Sequence, residues 1–369
     1  QISQYDQPLC KNGKLSIQLP ASEKQEAKEK IVRIRRVHLE EDTGKLQHAT
    51  VDGQKVTLVD FNRSGVPLVE IVTEADIRSG EEAKAFLKKL HQIVRYLDIS
   101  DANMEQGSMR LEPNISVKLT SVDDSKHQPN DIIEEKDLPK YKVEVKNINS
   151  FNFVKKAIEF EVPRHIAILE KGELPVQETR GWNEGKGETI SQRRKEDADD
   201  YRYFPDPDIP PLRFTKEQLS SLQAILPELP QVKLSRFIKE YGVSESSGTV
   251  LVDDSDLANY FEIAVKKDKK LEPKIIANWI VNKKVDYVSV DVETLLKQIT
   301  EATTVVSVPE EELTNAIKKV LADNPKAVAD YKSGKETVIM FLFGQAMKAL
   351  AGKGDKAKIQ ELLKQQLQS

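Results

Sequence analysis

The chain has 369 residues, 38% apolar and 31% charged, enough for two or three domains with a substantial core under a well-solvated surface. No run approaches the roughly 20 apolar residues of a membrane-spanning helix, and a formal net charge of -4 excludes a generally basic nucleic-acid sleeve, leaving local patches or shape for any RNA contact. Cys10 is the single cysteine, which excludes an intrachain disulfide and a cysteine-cluster zinc site and suits a reducing compartment.

Residues 1–19 alternate weakly, and Asn12-Gly13 between Leu9 and Leu15 predicts a hairpin turn. Residues 21–30 are charged and carry little information. Alternation predicts a strand over 31–39 that runs into Glu40-Glu41-Asp42, and composition alone makes that acidic triplet a solvated turn. The stretch 58–76, LVDFNRSGVPLVEIVTEAD, has an apolar run, a tight polar turn through Asn62, Arg63, Ser64 and Gly65, and a second apolar run. On that second strand Val66, Leu68, Glu70 and Val72 share one face. A carboxylate on an apolar face must pair with a cation, accept fixed hydrogen bonds or stay protonated. A salt bridge from Glu70 to Arg63 or a neighbouring lysine and a functional role are both open at this point.

Ser79-Gly80-Glu81-Glu82 predicts a capping box, followed by a helix whose apolar stripe is Ala83, Phe86, Leu87, Leu90, Ile93, Val94 and Leu97. The run MEQGSMRLEPNISVKL predicts a glycine turn and a strand, and the polar stretch 121–140 has the look of an insertion. Val143 and Val145 alternate with Lys142, Glu144 and Lys146 in a further strand. Asn149 or Ser150 then caps a helix reaching Leu169 and closed by Gly172, with Pro163 expected to kink or divide it. That helix start beside Lys146 is either simple capping or a set of N–H groups presented to an anion. Strands are predicted over 177–182 and 185–195, and the aromatic, acidic, proline-locked stretch 199–208 is extended. From Thr215 the pattern turns helical to the end of the chain, where Lys348, Lys353, Lys356 and Lys358 cluster. There is no phosphate-loop or dinucleotide glycine pattern, so nucleotide use cannot be argued from such a loop.

The run DFNRSGVPLVEIVTE resembles the signature of the B subunit of the tRNA-dependent Asp/Glu amidotransferase (GatB). HLEEDTGK, MEQGSMR, EVKNINSFNFV, QETRGW, DDYRYFPDPDIPPL and NPKAVADYKSGK extend the resemblance over most of the chain. The chain departs from it at Ala75, where the family usually has Pro, and between Val288 and Pro309, where the family is commonly longer. The resemblance implies an α+β fold: a mixed or antiparallel-sheet cradle over 1–213, a helical domain over 214–298 and a small helical tail over 299–369. It also suggests that an N-terminal portion precedes Gln1.

By the same resemblance the chain is a ligase subunit that uses ATP and Mg2+ to activate the side-chain carboxylate of a misacylated tRNA, before ammonia supplied by a glutaminase forms the amide. Glu41 and Glu70 are the implied metal ligands, and Glu41, Glu70, Arg63 and Lys146 the catalytic set. Lys146, Asn147, Asn149, Ser150 and Arg110 are the implied cofactor contacts, with Glu105, Ser108 and Asn114 as further polar positions of the cradle. The tail lysines Lys348, Lys353, Lys356 and Lys358 are the implied tRNA contacts. The implied partners are an amidase (A) subunit, a small C subunit and the tRNA, with no membrane, in the cytoplasm or, in a eukaryote, an organelle. The alternative is a catalytically silent tRNA-binding and assembly subunit.

Overall fold

The structure, a computed structural model, describes residues 4, 7–19, 28–119, 135–194, 207–303, 309–335, 337–350 and 355–368. Most of the excursion at 121–140 and of the aromatic motif at 199–208 therefore lies outside the described residues. The chain divides into two compact units, Gln1–Pro230 and Gln231–Ser369. No helix among the described residues is long and apolar enough to cross a membrane.

The first unit is α+β. Strands β1 (Cys10–Leu19), β2 (Lys28–Glu41) and β5 (Pro67–Thr73) form an antiparallel sheet in the order β1-β2-β5. The expected turn at Asn12-Gly13 is not one. Asn12 takes φ 59 inside β1, which goes on pairing with β2 on both sides of it. Gly13 packs closely there, since an added Cβ would lie 3.1 Å from the Cβ of Ile34 and would push it away by a few tenths of an ångström. The true two-residue turn is Asp52-Gly53, with φ 49 and 76, which joins β3 (Lys45–Val51) to β4 (Gln54–Asp60) in a separate hairpin.

A second, mixed sheet has the order β6 (Asn114–Ile115), β7 (Val143–Lys146), β8 (Glu178–Asn183), β9 (Glu188–Arg194), with β7 and β8 parallel. Helix α2 (Phe151–Leu169) covers it, so that Val143 and Val145 bury against Val154 and Ala157. Pro163 does not divide α2, which runs unbroken from Phe151 to Leu169: it lies on the exposed face, where the carbonyl that loses its donor can hydrogen-bond to water. Helix α1 (Gly80–Tyr96) serves both sheets, with Phe86 against Ile17 and Val32 and Ala83 in the core beneath α2. The two helices meet closely at Gly80, where an added Cβ would come within 2.8 Å of the Lys155 carbonyl oxygen. Ser79 caps α1 as expected, but Glu82 accepts from the Arg78 N–H at 2.6 Å and from buried Lys30 at 2.7 Å.

The second unit is helical. Helices α4 (Pro230–Tyr241), α5 (Glu245–Leu251), α6 (Ser255–Lys267), α7 (Pro273–Lys283) and α8 (Val292–Thr303) pack around Phe237, Leu251, Phe261, Ile276 and Ile299. Helices α9 (Glu310–Asp323), α10 (Pro325–Lys332), α11 (Val338–Ala349) and α12 (Lys356–Gln368) enclose a separate core of Leu313, Ile317, Leu342, Ile359 and Leu363. Helix α3 (Lys216–Ile225), which precedes them in the first unit, opens on a full capping box between Thr215 and Gln218.

Candidate active site

The β2–β5 ladder sets His38 opposite Glu70 and Glu40 opposite Leu68. Because His38 and Glu40 are two residues apart, they share a face of β2. The His38 Nε2 consequently lies 3.1 Å from Glu40 Oε1 and 3.1 Å from Glu70 Oε2. The ring is fully buried, while the Glu70 side chain is 49% exposed. These three residues form a group whose ligand atoms all lie within 4.8 Å of one another.

This donor set fits a hard divalent cation. Two carboxylate oxygens, completed by water and phosphate oxygens, are what magnesium accepts. His38 fits as their orienting partner rather than as a ligand. A metal-bound imidazole normally donates its second N–H to an acceptor, and the buried Nδ1 of His38 has no hydrogen-bond partner. With the proton on Nε2, the ring bridges both carboxylates and leaves Nδ1 as an unpaired acceptor, which costs less than a buried orphan donor.

Glu41 is not brought to this group. It stands at the end of the ladder opposite Pro67 and, one residue on from Glu40, belongs to the other face of β2. Nor does Glu70 pair with Arg63. That arginine instead reaches Asp42, which is buried rather than part of a solvated turn: Arg63 Nη2 lies 3.0 Å from Asp42 Oδ2. Arg110 Nη2 lies 3.1 and 3.0 Å from the two oxygens of the same carboxylate. A hydrogen bond from Arg63 Nη1 to the Gly107 carbonyl at 3.0 Å, beside the Arg63–Asp42 ion pair, ties the 62–65 turn to the glycine turn before Arg110.

Lys146, at the end of β7, lies 3.4 Å from Glu112 and 3.7 Å from Glu144. Burial pushes the Glu112 carboxyl above its usual range, and the Lys146 ammonium opposes that rise. Asn147 follows in the left-handed region at φ 60. Its amide nitrogen and that of Gln192 gather over Gly181, where an added Cβ would clash. Ser150, not Asn149, is the cap of α2, its hydroxyl accepting from the Phe153 N–H at 3.1 Å, and Asn149 is exposed.

In the second unit Lys348 is exposed in the last turn of α11, and Lys358 is tied to Glu310 at 2.6 Å. Lys353 and the side chain of Lys356 lie outside the described residues.

Sequence reasoning also missed a buried polar network. Glu161, fully buried on α2, accepts from Arg164 at 2.7 Å and His165 at 2.9 Å, from the Thr189 hydroxyl, and lies 3.1 Å from Arg180 Nε on β8. Burial pushes the Glu161 carboxyl up, but the bonds from His165, Arg164 and Thr189 outweigh it and hold the carboxyl at about 2. The signal lay in the helix stripe, where Ala157, Glu161 and His165 recur every four residues on the core-facing side.

Comparison with known proteins adds the family. Residues 1–220 match the model described as GatB/GatE catalytic domain, and residues 289–367 match a GatB domain. A protein of Thermomicrobium roseum is 40% identical, covering 100% of this chain and 80% of its own length. One from a Thermoanaerobacter species is 39% identical over 100% of this chain and 81% of its own length, and one from a Synechocystis species is 39% identical over 98% and 79%. All three are named as the B subunit of an aspartyl/glutamyl-tRNA(Asn/Gln) amidotransferase. By identity and coverage, the chain belongs to that family of amidotransferase B subunits.

Proposed function

We propose that this chain carries the activating half of tRNA-dependent amidation, with Glu40 and Glu70 at its centre. The side-chain carboxylate of Glu on tRNA(Gln), or of Asp on tRNA(Asn), is phosphorylated with ATP. Ammonia then displaces the phosphate, leaving the amide. The single observation behind this is the convergence of Glu40 and Glu70 on buried His38, within the part of the chain that matches the catalytic-domain model. That match also favours activation over a silent assembly role.

Glu40 and Glu70 would hold magnesium, which when bound neutralises charge on a transferring phosphoryl group. His38 fixes the two carboxylates, since one buried ring hydrogen-bonds both. Arg63 and Arg110 bring positive charge to Asp42, two residues on from Glu40, and Lys146, Asn147, Asn149 and Ser150 stand between the end of β7 and the start of α2. Glu41 is retained only as a nearby acid on the opposite strand face.

We assign the chain three parts, a cradle over 1–213, a helical domain over 214–298 and a tail over 299–369, the last contacting tRNA phosphates through exposed lysines such as Lys348. The partners are an amidase (A) subunit that releases ammonia from glutamine, a small C subunit and the misacylated tRNA, in the compartment of protein synthesis, the cytoplasm in a bacterium. The test is an amidation assay of the assembled enzyme with Glu-tRNA(Gln) and Asp-tRNA(Asn). Formation of Gln-tRNA or Asn-tRNA that needs both ATP and this chain supports the reading; ATP-independent product, or none, contradicts it.

A further inference from the structure

Two arginines share one buried carboxylate, and the surplus positive charge faces outward. The Asp42 side chain is 8% exposed, whereas those of Arg63 and Arg110 are 44% and 51% exposed. Asp42 is itself fixed at three points: its N–H donates to the Val66 carbonyl at 2.8 Å, its carbonyl accepts from the Gly65 N–H at 2.9 Å, and Oδ1 accepts from the Thr43 N–H at 3.1 Å. The two guanidiniums are not equivalent. Arg63 has one nitrogen on Asp42 and the other on the Gly107 carbonyl. Arg110 spends only Nη2 on Asp42, and among the described residues its Nε and Nη1 meet no partner. An arginine has five N–H donors in a rigid fork suited to two oxygens of one anion.

Resting on the proposed activation reaction, we infer that Asp42, Arg63 and Arg110 form an oxyanion clamp in which Arg110 grips the substrate and Asp42 and Arg63 position it. Extended backbone sets the Cα atoms of Glu40 and Asp42 about 7 Å apart, so the carboxylate that holds Arg110 is two residues along the chain from one of the two proposed metal ligands. Its ligand is an oxygen anion of one of the two reactants, either the phosphate chain of the nucleotide or the side-chain carboxylate of the aminoacyl group.

The assembled enzyme carrying the full chain tests this with two probes, magnesium–ATP in equilibrium binding and aminoacyl-tRNA in steady-state amidation. Arg110→Gln is expected to weaken one of them about tenfold or more, because a charge-assisted bidentate contact is lost, with an unchanged melting temperature. A rise in the ATP Kd identifies the phosphate chain. An unchanged ATP Kd with a raised KM for aminoacyl-tRNA identifies the carboxylate. Asp42→Asn is expected to move the same constant in the same direction with a smaller change in kcat, and Arg63→Gln to move it less than Arg110→Gln does. Wild-type ATP and aminoacyl-tRNA constants in Arg110→Gln overturn the clamp, and a larger effect from Arg63→Gln overturns the division of roles. If the wild-type enzyme makes no amidated tRNA, the reaction assigned above fails instead, while the ATP-binding comparison still decides whether the nucleotide is the ligand.

Discussion

His38 and Glu70 face each other across the β2–β5 ladder, with Nε2 of the buried ring 3.1 Å from Glu70 Oε2. The same nitrogen reaches Glu40, so a single imidazole sets the spacing of the two carboxylates. If magnesium is held by that pair, changing Glu40 and changing its neighbour must have very different consequences. Glu40→Gln should raise the magnesium concentration needed for half-maximal amidation about tenfold or more and lower the maximal rate, while Glu41→Gln stays within about twofold of wild type. A magnesium titration of amidation rate in both variants checks this, and equal effects would return Glu41 to the site.

If Glu40 and Glu70 hold magnesium, His38 would act on it through the two carboxylates. His38→Asn removes a ring that bonds both and should weaken magnesium affinity about 10–100-fold, the usual cost of losing an outer partner. Calorimetric or fluorescence titration with manganese as the probe reads the affinity without turnover. A variant with wild-type affinity shows that the ring only fills space.

Glu161 makes stability depend on acid. Its carboxyl is held at about 2 when folded, against an ordinary value of 4.5. A depressed folded value means stability that is present above pH 4.5 and lost as the pH falls towards about 2. The contribution at neutral pH is about 3 kcal/mol. Denaturant unfolding of wild type and Glu161→Gln should converge as the solution is acidified through that window. Parallel curves would show that the network does not depend on the charge.

Lys30 and Glu82 form a buried ion pair at 2.7 Å that joins β2 to the first turn of α1. Removing only the cation leaves a carboxylate without its charge partner, so Lys30→Met should cost about 3 kcal/mol in chemical denaturation. The double variant Lys30→Met/Glu82→Gln should regain part of that loss, because the neutral amide needs no counter-charge. A single variant within about 0.5 kcal/mol of wild type would mean that the pair contributes little to stability.

Local chemistry was legible wherever one element decided it. The apolar stripe of α1, the Ser79 cap, the start of helical pattern at Thr215 and the placement of Glu70 on a strand all follow from spacing within a few residues, while spacing narrows the cap of α2 only to Asn149 or Ser150. What could not be read depended on partners far along the chain. Glu40 and Glu41 are chemically alike, and only the pairing of His38 with Glu70 decides between them. Asp42 looks solvated until Arg110, 68 residues on, closes over it. Asn12-Gly13 and Asp52-Gly53 carry the same turn signal. Only the second has complementary strands on both sides, whereas β1 runs on against β2.

Glu70 of this chain is proposed to serve ATP-dependent activation and not ammonia release, and one variant of the assembled enzyme tests that role. Glu70→Gln keeps the size of the side chain and removes the charge a cation needs. ATP cleavage, glutamine hydrolysis and amidated tRNA are measured on the same preparation. Tenfold in rate corresponds to about 1.4 kcal/mol, so losing a metal clamp should lower amidated tRNA and tRNA-dependent ATP cleavage by roughly 100-fold or more, while glutamine hydrolysis on the partner subunit persists at its basal level. Full ATP-dependent amidation by Glu70→Gln would contradict the account and leave Glu70 as no more than a hydrogen-bond partner of His38.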